Sequence, residues 1–256
     1  MTRATIRLVP RVSPPRGLRP LLPGERLTQR EFHARYEQHH EEIRFELIGG
    51  VVFMVPPAGY EHGRNDFQIT SIIGLYESQT PGVVGLHNVS VQLGERSEPQ
   101  PDCVLCIKPE YGGQTWIKGS LLAGPPELVI EIADSSGSYD LVKKRKDYQS
   151  HGVLEYIVVS IRQQQFHWFD LANDEEREIA TDGILRSIVF PGLWIDSEAL
   201  FRNETRTLVE TLQRGLKSKP HAAFKSQLQR RQKAIARLTE KASPSEQSPR
   251  KRRKEN

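Results

Sequence analysis

Two acidic residues lie inside segments whose other residues are typical of buried β-strands. Asp102 opens the apolar run 102–107, and Glu131 lies at the centre of the run 128–133. A carboxylate is costly to bury without a partner, so Glu131 taken alone is more commonly expected on the solvent face of a half-exposed strand. The alternative is that the two strands are neighbours and that both carboxylates bind one divalent cation. Magnesium suits that arrangement, because it typically takes one or two carboxylates together with waters and phosphate oxygens.

One lysine of the basic run 143–146 has a different expected role from its neighbours. On a helix at about 100° per residue, this lysine shares one side with two acids and a tyrosine, and the other three basic residues point elsewhere. The four residues on the shared side are Asp140, Lys144, Asp147 and Tyr148. Lys144 is therefore expected to face the strand that carries Glu131. Two carboxylates and an ammonium are the components of a phosphodiester-hydrolysing site, in which a metal ion polarises the phosphate and the lysine orients or deprotonates a water molecule.

The elements that position these residues predict one α/β domain with a mixed sheet flanked by helices. A Thr28–Glu31 capping box begins a helix over 29–42, and a Gly49–Gly50 pair joins two β-rich runs in a hairpin. Further helices are expected over 62–78 and 139–150, and the pattern from 202 onward is helical and polar. Strands are expected over 83–93, 101–107, 128–133, 154–160, 165–171 and 184–190.

The formal net charge of +4 hides a segregation of charge along the chain. Residues 1–24 carry five arginines and no acid, residues 214–256 carry 14 basic residues and three acids, and the part between has 17 basic and 29 acidic residues. The middle of the chain is therefore not expected to bind polyanions by itself. We expect a disordered Pro/Arg-rich arm over 1–24, a folded domain over 25–205 and a basic helical or disordered tail over 206–256.

Composition excludes several classes of protein. Mean hydropathy is −0.54, and no apolar run approaches the ~18 residues of a membrane helix, so no membrane partner is expected. The N-terminus lacks the apolar segment of a secretory signal, and two cysteines cannot form a disulfide scaffold, so a reducing cytoplasm is the expected compartment. Residues three apart on a strand point to opposite faces, so Cys103 and Cys106 are expected to be buried thiols and not a zinc site.

Several segments stand in a recognisable order between about 27 and 201. They are Arg44-Phe45-Glu46-Leu47-Ile48, Glu61-His62, Pro101-Asp102, Glu131-Ile132-Ala133-Asp134-Ser135-Ser136, Tyr139-Asp140 with Lys144 and Tyr148, Gly152-Val153 with Glu155-Tyr156, and Phe190-Pro191-Gly192-Leu193. No single segment is specific, but the ordered set at this spacing resembles the putative restriction endonuclease family within the PD-(D/E)xK nuclease superfamily. Most of the chain outside the two basic arms is covered by the resemblance.

The resemblance implies a restriction endonuclease-like fold and the hydrolysis of DNA phosphodiester bonds, with magnesium or manganese as cofactor. It implies that Asp102 and Glu131 are metal ligands and that Glu46 reaches the metal or its water shell. Lys144 would be the catalytic lysine of the superfamily. His62 would contact a phosphate or carry a proton.

Two departures from the family pattern affect these expectations. Ala133 stands where the superfamily lysine usually lies, so the helix lysine has to supply the cation. Gly49-Gly50-Val51 replaces an Asp-Gly-Glu sequence that the family often has, which removes two acids and weakens a second metal position.

Two other functions compete with a nuclease. The chain could keep the nuclease fold without catalysis and bind nucleic acid through its basic arms, or it could be a protein-interaction module whose acids form only an ion-pair network. The clustered acids favour the enzyme, because a protein that only binds phosphates has no use for them. DNA is the expected partner. A homodimer would supply two sites for two strands, although no interface is identifiable from the residues.

Overall fold

The computed structural model describes residues 17, 19–38, 43–133 and 139–242, which form a mixed α/β structure. The helices are α1 (Gln29–Tyr36), α2 (Tyr60–Gln79), α3 (Arg145–His151), α4 (Ser197–Phe201), α5 (Thr205–Leu216) and α6 (Lys219–Ala242), with a 3₁₀ turn at Pro109–Tyr111 and a π-helical turn at Tyr139–Lys144. The strands are β1 (Arg44–Ile48), β2 (Val51–Val55), β3 (Val83–His87), β4 (Val91–Gln92), β5 (Cys103–Ile107), β6 (Trp116–Lys118), β7 (Leu121–Ala123), β8 (Leu128–Ala133), β9 (Glu155–Ser160), β10 (Gln165–Asp170), β11 (Glu175–Arg177), β12 (Ile184–Arg186) and β13 (Trp194–Asp196).

The largest sheet has six strands in the order β11-β10-β9-β8-β5-β3. β8 and β9 are parallel and every other neighbouring pair is antiparallel. Every residue of β8 and β9 is buried, because both faces of the sheet are covered. This explains why these strands are continuous apolar runs and do not alternate with polar residues.

Alternate residues of the central strands enter two separate cores. On β8, Leu128, Ile130 and Ile132 pack against α2, α4, α5 and the first half of α6. Val129 and Ala133 point to the opposite core, which includes Tyr148 of α3. Glu131 shares the parity of Val129 and Ala133, and the alternation therefore directs its side chain towards α3.

The predicted hairpin of β1 and β2 is present as a separate two-stranded sheet. Its turn residues Gly49 and Gly50 have φ of 57° and 81°, and two successive positive φ angles are what a type I′ hairpin turn needs. Residues 19–24 pack on this hairpin, with Leu21 only 3% exposed and Gly24 N donating to Val52 O. The expectation of a disordered arm is therefore wrong for 19–24, and residues 1–16 lie outside the described part of the chain.

Several element boundaries differ from those expected. α1 begins with the predicted capping box but ends at Tyr36, and residues 39–42 lie outside the described ranges. The expected strand over 83–93 divides into β3 and β4 because Asn88 adopts a left-handed conformation with φ of 50°. The strand expected over 184–190 is shorter, ending at Arg186, where it pairs with β13. β6, β7, β11 and β13 have too few residues to give a periodic signal.

The helices after 202 contribute to the main core. Leu208 and Leu212 of α5, and Phe224 and Leu228 of α6, are buried there. The packed unit thus extends beyond the boundary expected near 205, and the remaining domain limits stay predictions. None of the helices within the described residues combines the length and the apolar character that a membrane span requires.

Candidate active site

Glu131 lies at the centre of a central strand, with only 4% of its surface exposed. The Tyr148 hydroxyl donates to its Oε1 at 2.7 Å, and Lys144 Nζ lies 2.9 Å from the same oxygen. The alternative in which Glu131 faces solvent from a half-exposed strand is therefore excluded. Two donors on one oxygen compensate part of the cost of burying the carboxylate.

Asp102 lies one residue before β5, on the same face of the sheet as Glu131. Cys103 pairs with Ile130 across the antiparallel β5–β8 ladder, which brings Asp102 beside Glu131. The backbone N–H of Ile132 donates to Asp102 Oδ2 at 2.8 Å. The carboxylate is thus anchored to the strand that carries the second acid.

Lys144 ends the π-helical turn and points back towards the sheet. Its Nζ lies 2.9 Å from Glu131 Oε1, 3.0 Å from Glu46 Oε2 and 3.6 Å from Asp140 Oδ1. Burial by itself would lower the pKa of Lys144, but these three carboxylates together hold that pKa well above its ordinary value. The lysine is therefore a fixed, buried cation, and π-helical turns of this kind are frequent at functional sites.

Glu46 comes from β1 of the hairpin, which is a separate sheet, and joins the cluster through its contact with Lys144. Its Oε1 accepts from the Gln100 backbone N–H at 2.7 Å, and its Oε2 accepts from the Tyr139 hydroxyl at 3.1 Å. Together with Lys144, three donors approach this carboxylate. Glu46 consequently holds the ammonium in position, whatever else it contacts.

His62 lies near the start of α2, on the other side of Asp102. Its Nε2 is 3.4 Å from Asp102 Oδ2. The interaction with Asp102 raises the pKa of His62, although burial of the ring opposes the shift. Within the described ranges, its buried Nδ1 has no hydrogen-bond partner. The ring therefore has one nitrogen directed at the carboxylate and the other uncommitted to protein.

These groups meet at a cleft of about 510 Å³. One wall is formed by the connection from β2 to α2, including Pro56 and Pro57, and the other by the charged cluster. All five residues predicted for the site line this cleft, namely Glu46, His62, Asp102, Glu131 and Lys144. Residues 134–138, which follow β8, lie outside the described part of the chain.

The electrostatics of the cleft suit an added positive charge. Burial raises the pKa of Glu131 well above its ordinary value, the Lys144 ammonium offsets part of that shift, and the neighbouring Asp102 carboxylate adds to it. The pKa of Asp140 is likewise raised by burial, with Lys144 opposing. Three carboxylates around one ammonium leave negative charge uncompensated, and a divalent cation would neutralise it.

The cleft offers carboxylate oxygens, which are the ligand type that magnesium prefers. Across the described ranges, no three His, Cys, Asp or Glu side chains stand ready to coordinate a metal together. Asp102 and Glu131 nevertheless offer carboxylate oxygens at one cleft. Magnesium commonly binds through one or two carboxylates and takes waters and phosphates for the rest, so this sparse set fits it.

The sequence did not identify four residues that hold the site together. Tyr139, Gln100 and Asp140 contact Glu46 or Lys144, and Arg44 lines the cleft beside Asn88. Asp140 shares a helix side with Lys144, and Arg44 and Tyr139 belong to the segments that carry the family resemblance, so only Gln100 had no signal in the sequence. Cys103 and Cys106 enter the two different cores, as their spacing predicts.

The comparisons with known proteins agree with the predicted fold and family. A family model described as "Uma2: Putative restriction endonuclease" matches residues 30–198. A crystal structure of a "putative nuclease belonging to DUF820" from Anabaena variabilis ATCC 29413 is similar over 69% of this chain and 98% of that chain, with a TM-score of 0.55 and 16% sequence identity. No curated protein matches the chain significantly. The predicted restriction endonuclease-like fold is confirmed, and the chain belongs to the Uma2 family of putative restriction endonucleases.

Proposed function

We propose that this protein is a metal-dependent endonuclease that hydrolyses phosphodiester bonds in DNA. The observation that carries the proposal is the position of the Lys144 ammonium, 2.9 Å from Glu131 and 3.0 Å from Glu46, in a cleft that Asp102 also lines. A buried lysine among acids beside an open cleft is the arrangement that phosphoryl chemistry uses. Family membership supports nuclease activity in general; the DNA substrate, the metal and the residue roles are proposals.

Asp102 and Glu131 are the residues that would hold the ion, with Glu46 contributing through the ion's water shell. A divalent cation in such a site supplies charge neutralisation at the phosphate and lowers the pKa of water. The contact of Glu46 with three donors supports an indirect role for that carboxylate. Manganese, which also prefers oxygen ligands, is expected to substitute for magnesium.

The roles of the chain's own groups follow from their contacts. Lys144 keeps its proton, so it stabilises negative charge on the phosphate and orients the attacking water as a donor. Tyr148 fixes Glu131 Oε1, and Tyr139 fixes Glu46 Oε2, so neither carboxylate has to reorganise during the reaction. His62, whose Nε2 lies 3.4 Å from Asp102 Oδ2, is placed to orient that carboxylate.

The experiment is a plasmid-nicking assay with magnesium. Wild type should convert supercoiled plasmid to open circles and linear DNA, whereas Asp102→Asn and Lys144→Ala should lose at least about 100-fold in rate, the scale of removing one electrostatic stabiliser. Lys146→Ala is the matched control, because that lysine lies two residues further along the chain, in α3, and is exposed. Thermal unfolding of each variant confirms that lost cleavage is not lost folding.

The two competing functions give different results in the same assay. A protein that only binds nucleic acid would retard the plasmid without nicking it, and a protein-interaction module would do neither. Nicking that persists in Lys144→Ala at the wild-type rate would contradict the assigned site. A homodimer stays a prediction, and sedimentation analysis of the full chain tests it.

A further inference from the structure

A second cavity adjoins the candidate cleft. Its volume is about 610 Å³, within the range of small-molecule and cofactor sites. Arg44 and Asn88 line both the cleft and this cavity, so they form the wall between the two. A strand bound in the cleft would have to pass Arg44 to reach the second cavity.

Arg44 is placed to meet a phosphate at this junction. It begins β1, two residues before Glu46, and strand alternation puts both side chains on one face. Its Nη1 donates to the neutral Asn88 Oδ1 at 2.9 Å. Within residues 17, 19–38, 43–133 and 139–242, no carboxylate lies within ion-pair distance of this guanidinium, so its charge is not cancelled by a described acid. A planar guanidinium suits phosphate recognition.

Hydrogen bonds tie Arg44 to the carboxylate cluster. Gln100 Nε2 donates to Asn88 O at 2.9 Å, and the Gln100 backbone N–H donates to Glu46 Oε1 at 2.7 Å. The Asn88 N–H donates to Asp102 O at 3.1 Å. Asn88 is therefore fixed relative to both Asp102 and Glu46. Because Asn88 contacts Arg44, the Arg44 guanidinium is also held at a set distance from these two carboxylates.

The second cavity offers both apolar and polar contacts to a ligand. Its lining combines Tyr36 and Leu121 with Ser90, which can pair with a base or a sugar. It also includes His33, which lies 3.3 Å from Glu37 and 3.0 Å from the buried Glu98. Arg44 supplies the positive charge at its entrance. A neutral ligand would have no need of that cation, whereas a nucleotide carries its phosphate at one end.

We propose that Arg44 binds the phosphate next to the scissile one, and that the second cavity holds the nucleotide attached to it. This inference rests on the proposed nuclease function and extends it, because it gives the substrate strand a direction across the molecule. A DNA strand that lacks this extra nucleotide would lose the binding energy that the second cavity supplies.

The test measures binding of a labelled DNA strand without divalent ions, so that the strand stays intact. Methylphosphonate linkages remove the charge of one phosphate at a time. In wild type, a methylphosphonate at one position of the strand should weaken binding about tenfold, which is the scale of one charged hydrogen bond. Arg44→Gln should weaken binding of the unmodified strand by a similar factor and show no further loss at that position. For Arg44→Gln, the slope of log affinity against log salt concentration should become less steep by the amount that one phosphate contact contributes.

Two variants sharpen the result. Arg177→Gln is the matched control, since that arginine lies on β11, at the sheet edge three strands from β8, and it should keep both the slope and the sensitive phosphate. Ser120→Trp places a large ring at the exposed lip of the second cavity and should weaken binding several-fold without changing the salt slope. An unchanged affinity in Ser120→Trp would overturn the nucleotide site.

The outcomes separate this inference from the proposed function. If wild type binds and cleaves DNA but Arg44→Gln remains sensitive at the same phosphate, the Arg44 contact is wrong and the nuclease is not. If wild type neither binds nor cleaves DNA, both are overturned together.

Discussion

At the scale of single residues, the site is held by hydroxyl and backbone donors that surround buried carboxylates. Glu131 accepts hydrogen bonds from Tyr148 and Lys144. Glu46 accepts hydrogen bonds from Tyr139 and the Gln100 N–H. Each donor fixes one oxygen, so the geometry does not depend on the ammonium alone. The stability of the site and its chemistry are therefore coupled through the same hydrogen bonds.

The hydroxyl of Tyr148 gives a direct measure of this coupling. Tyr148→Phe removes a 2.7 Å donor from a buried carboxylate and should lower the free energy of unfolding by about 1–3 kcal/mol. Denaturant unfolding measures the change. Tyr60→Phe, at a residue 81% exposed, is the control and should leave stability unchanged. Equal stabilities for wild type and Tyr148→Phe would show that the contact contributes nothing.

The two cysteines give a prediction about reactivity. Burial raises the pKa of both Cys103 and Cys106 to about 12, so they remain thiols at every pH below that value. Because the thiolate is the reactive form, neither should react with a thiol-specific reagent at pH 8 in the native protein, and both should react after unfolding. Rapid labelling of the folded chain would contradict the buried positions.

At the scale of elements, the sheet could be predicted from the sequence but the hairpin's position could not. Strand alternation and the helical side shared by Asp140 and Lys144 left the meeting of Asp102, Glu131 and Lys144 as one of two alternatives, and the family resemblance favoured it. The role of Glu46 needed more, because β1 and β2 form a separate sheet, connected to the β4–β5 segment through the Leu47–Glu98 bridge. The periodicity of the sequence carries no information about contacts between two separate sheets, so the partners of Glu46 were not predictable.

The junction of α2 and α6 gives a prediction about pH. His221, fully buried in the first turn of α6, has its Nδ1 2.7 Å from Leu216 O and its Nε2 3.0 Å from Thr80 Oγ1. Burial lowers its pKa from the ordinary 6.5. A group with a lowered pKa stabilises the fold above its unfolded pKa, and that stability is lost as the pH falls through the folded value.

We therefore expect His221→Gln to be less stable than wild type at pH 7.5, with the difference narrowing below pH 6.5 because the histidine of the unfolded wild-type chain takes up a proton there and the buried native histidine does not. Urea unfolding across this range gives the two curves. The difference in unfolding free energy between wild type and His221→Gln does not contain the pH dependence of the other groups, because both proteins share those groups. A difference that stays constant or grows on acidification would contradict the buried neutral histidine.

At the scale of the whole molecule, an acidic body is combined with basic chain ends. The exposed part of α6 carries basic residues, but its first half is packed into the core through Phe224 and Leu228. A truncation at 214 would therefore remove buried side chains as well as charge. Composition could predict the charge of the tail, but it could not show that the start of the tail is structural.

A variant in which exposed cations of α6 are neutralised avoids the loss of buried side chains that a truncation would cause. Replacing Arg230, Lys233 and Arg237 with Gln keeps the buried residues of α6 and removes three exposed cations. DNA binding should weaken, and the dependence of affinity on salt should become less steep, because fewer counterions are released. Calorimetry at two salt concentrations measures the slope, and a slope equal to that of wild type would show that α6 does not contact the phosphates.

The most direct test of the central proposal is the position of a divalent ion. Crystals soaked in manganese give an anomalous signal that identifies the ion independently of the protein. We expect one strong peak in the cleft, in contact with the Asp102 and Glu131 carboxylates and a few ångströms from the Lys144 ammonium, and no such peak in Asp102→Asn. A cleft without anomalous signal at saturating manganese, or ions bound only at other surfaces, would contradict the proposed metal-dependent site.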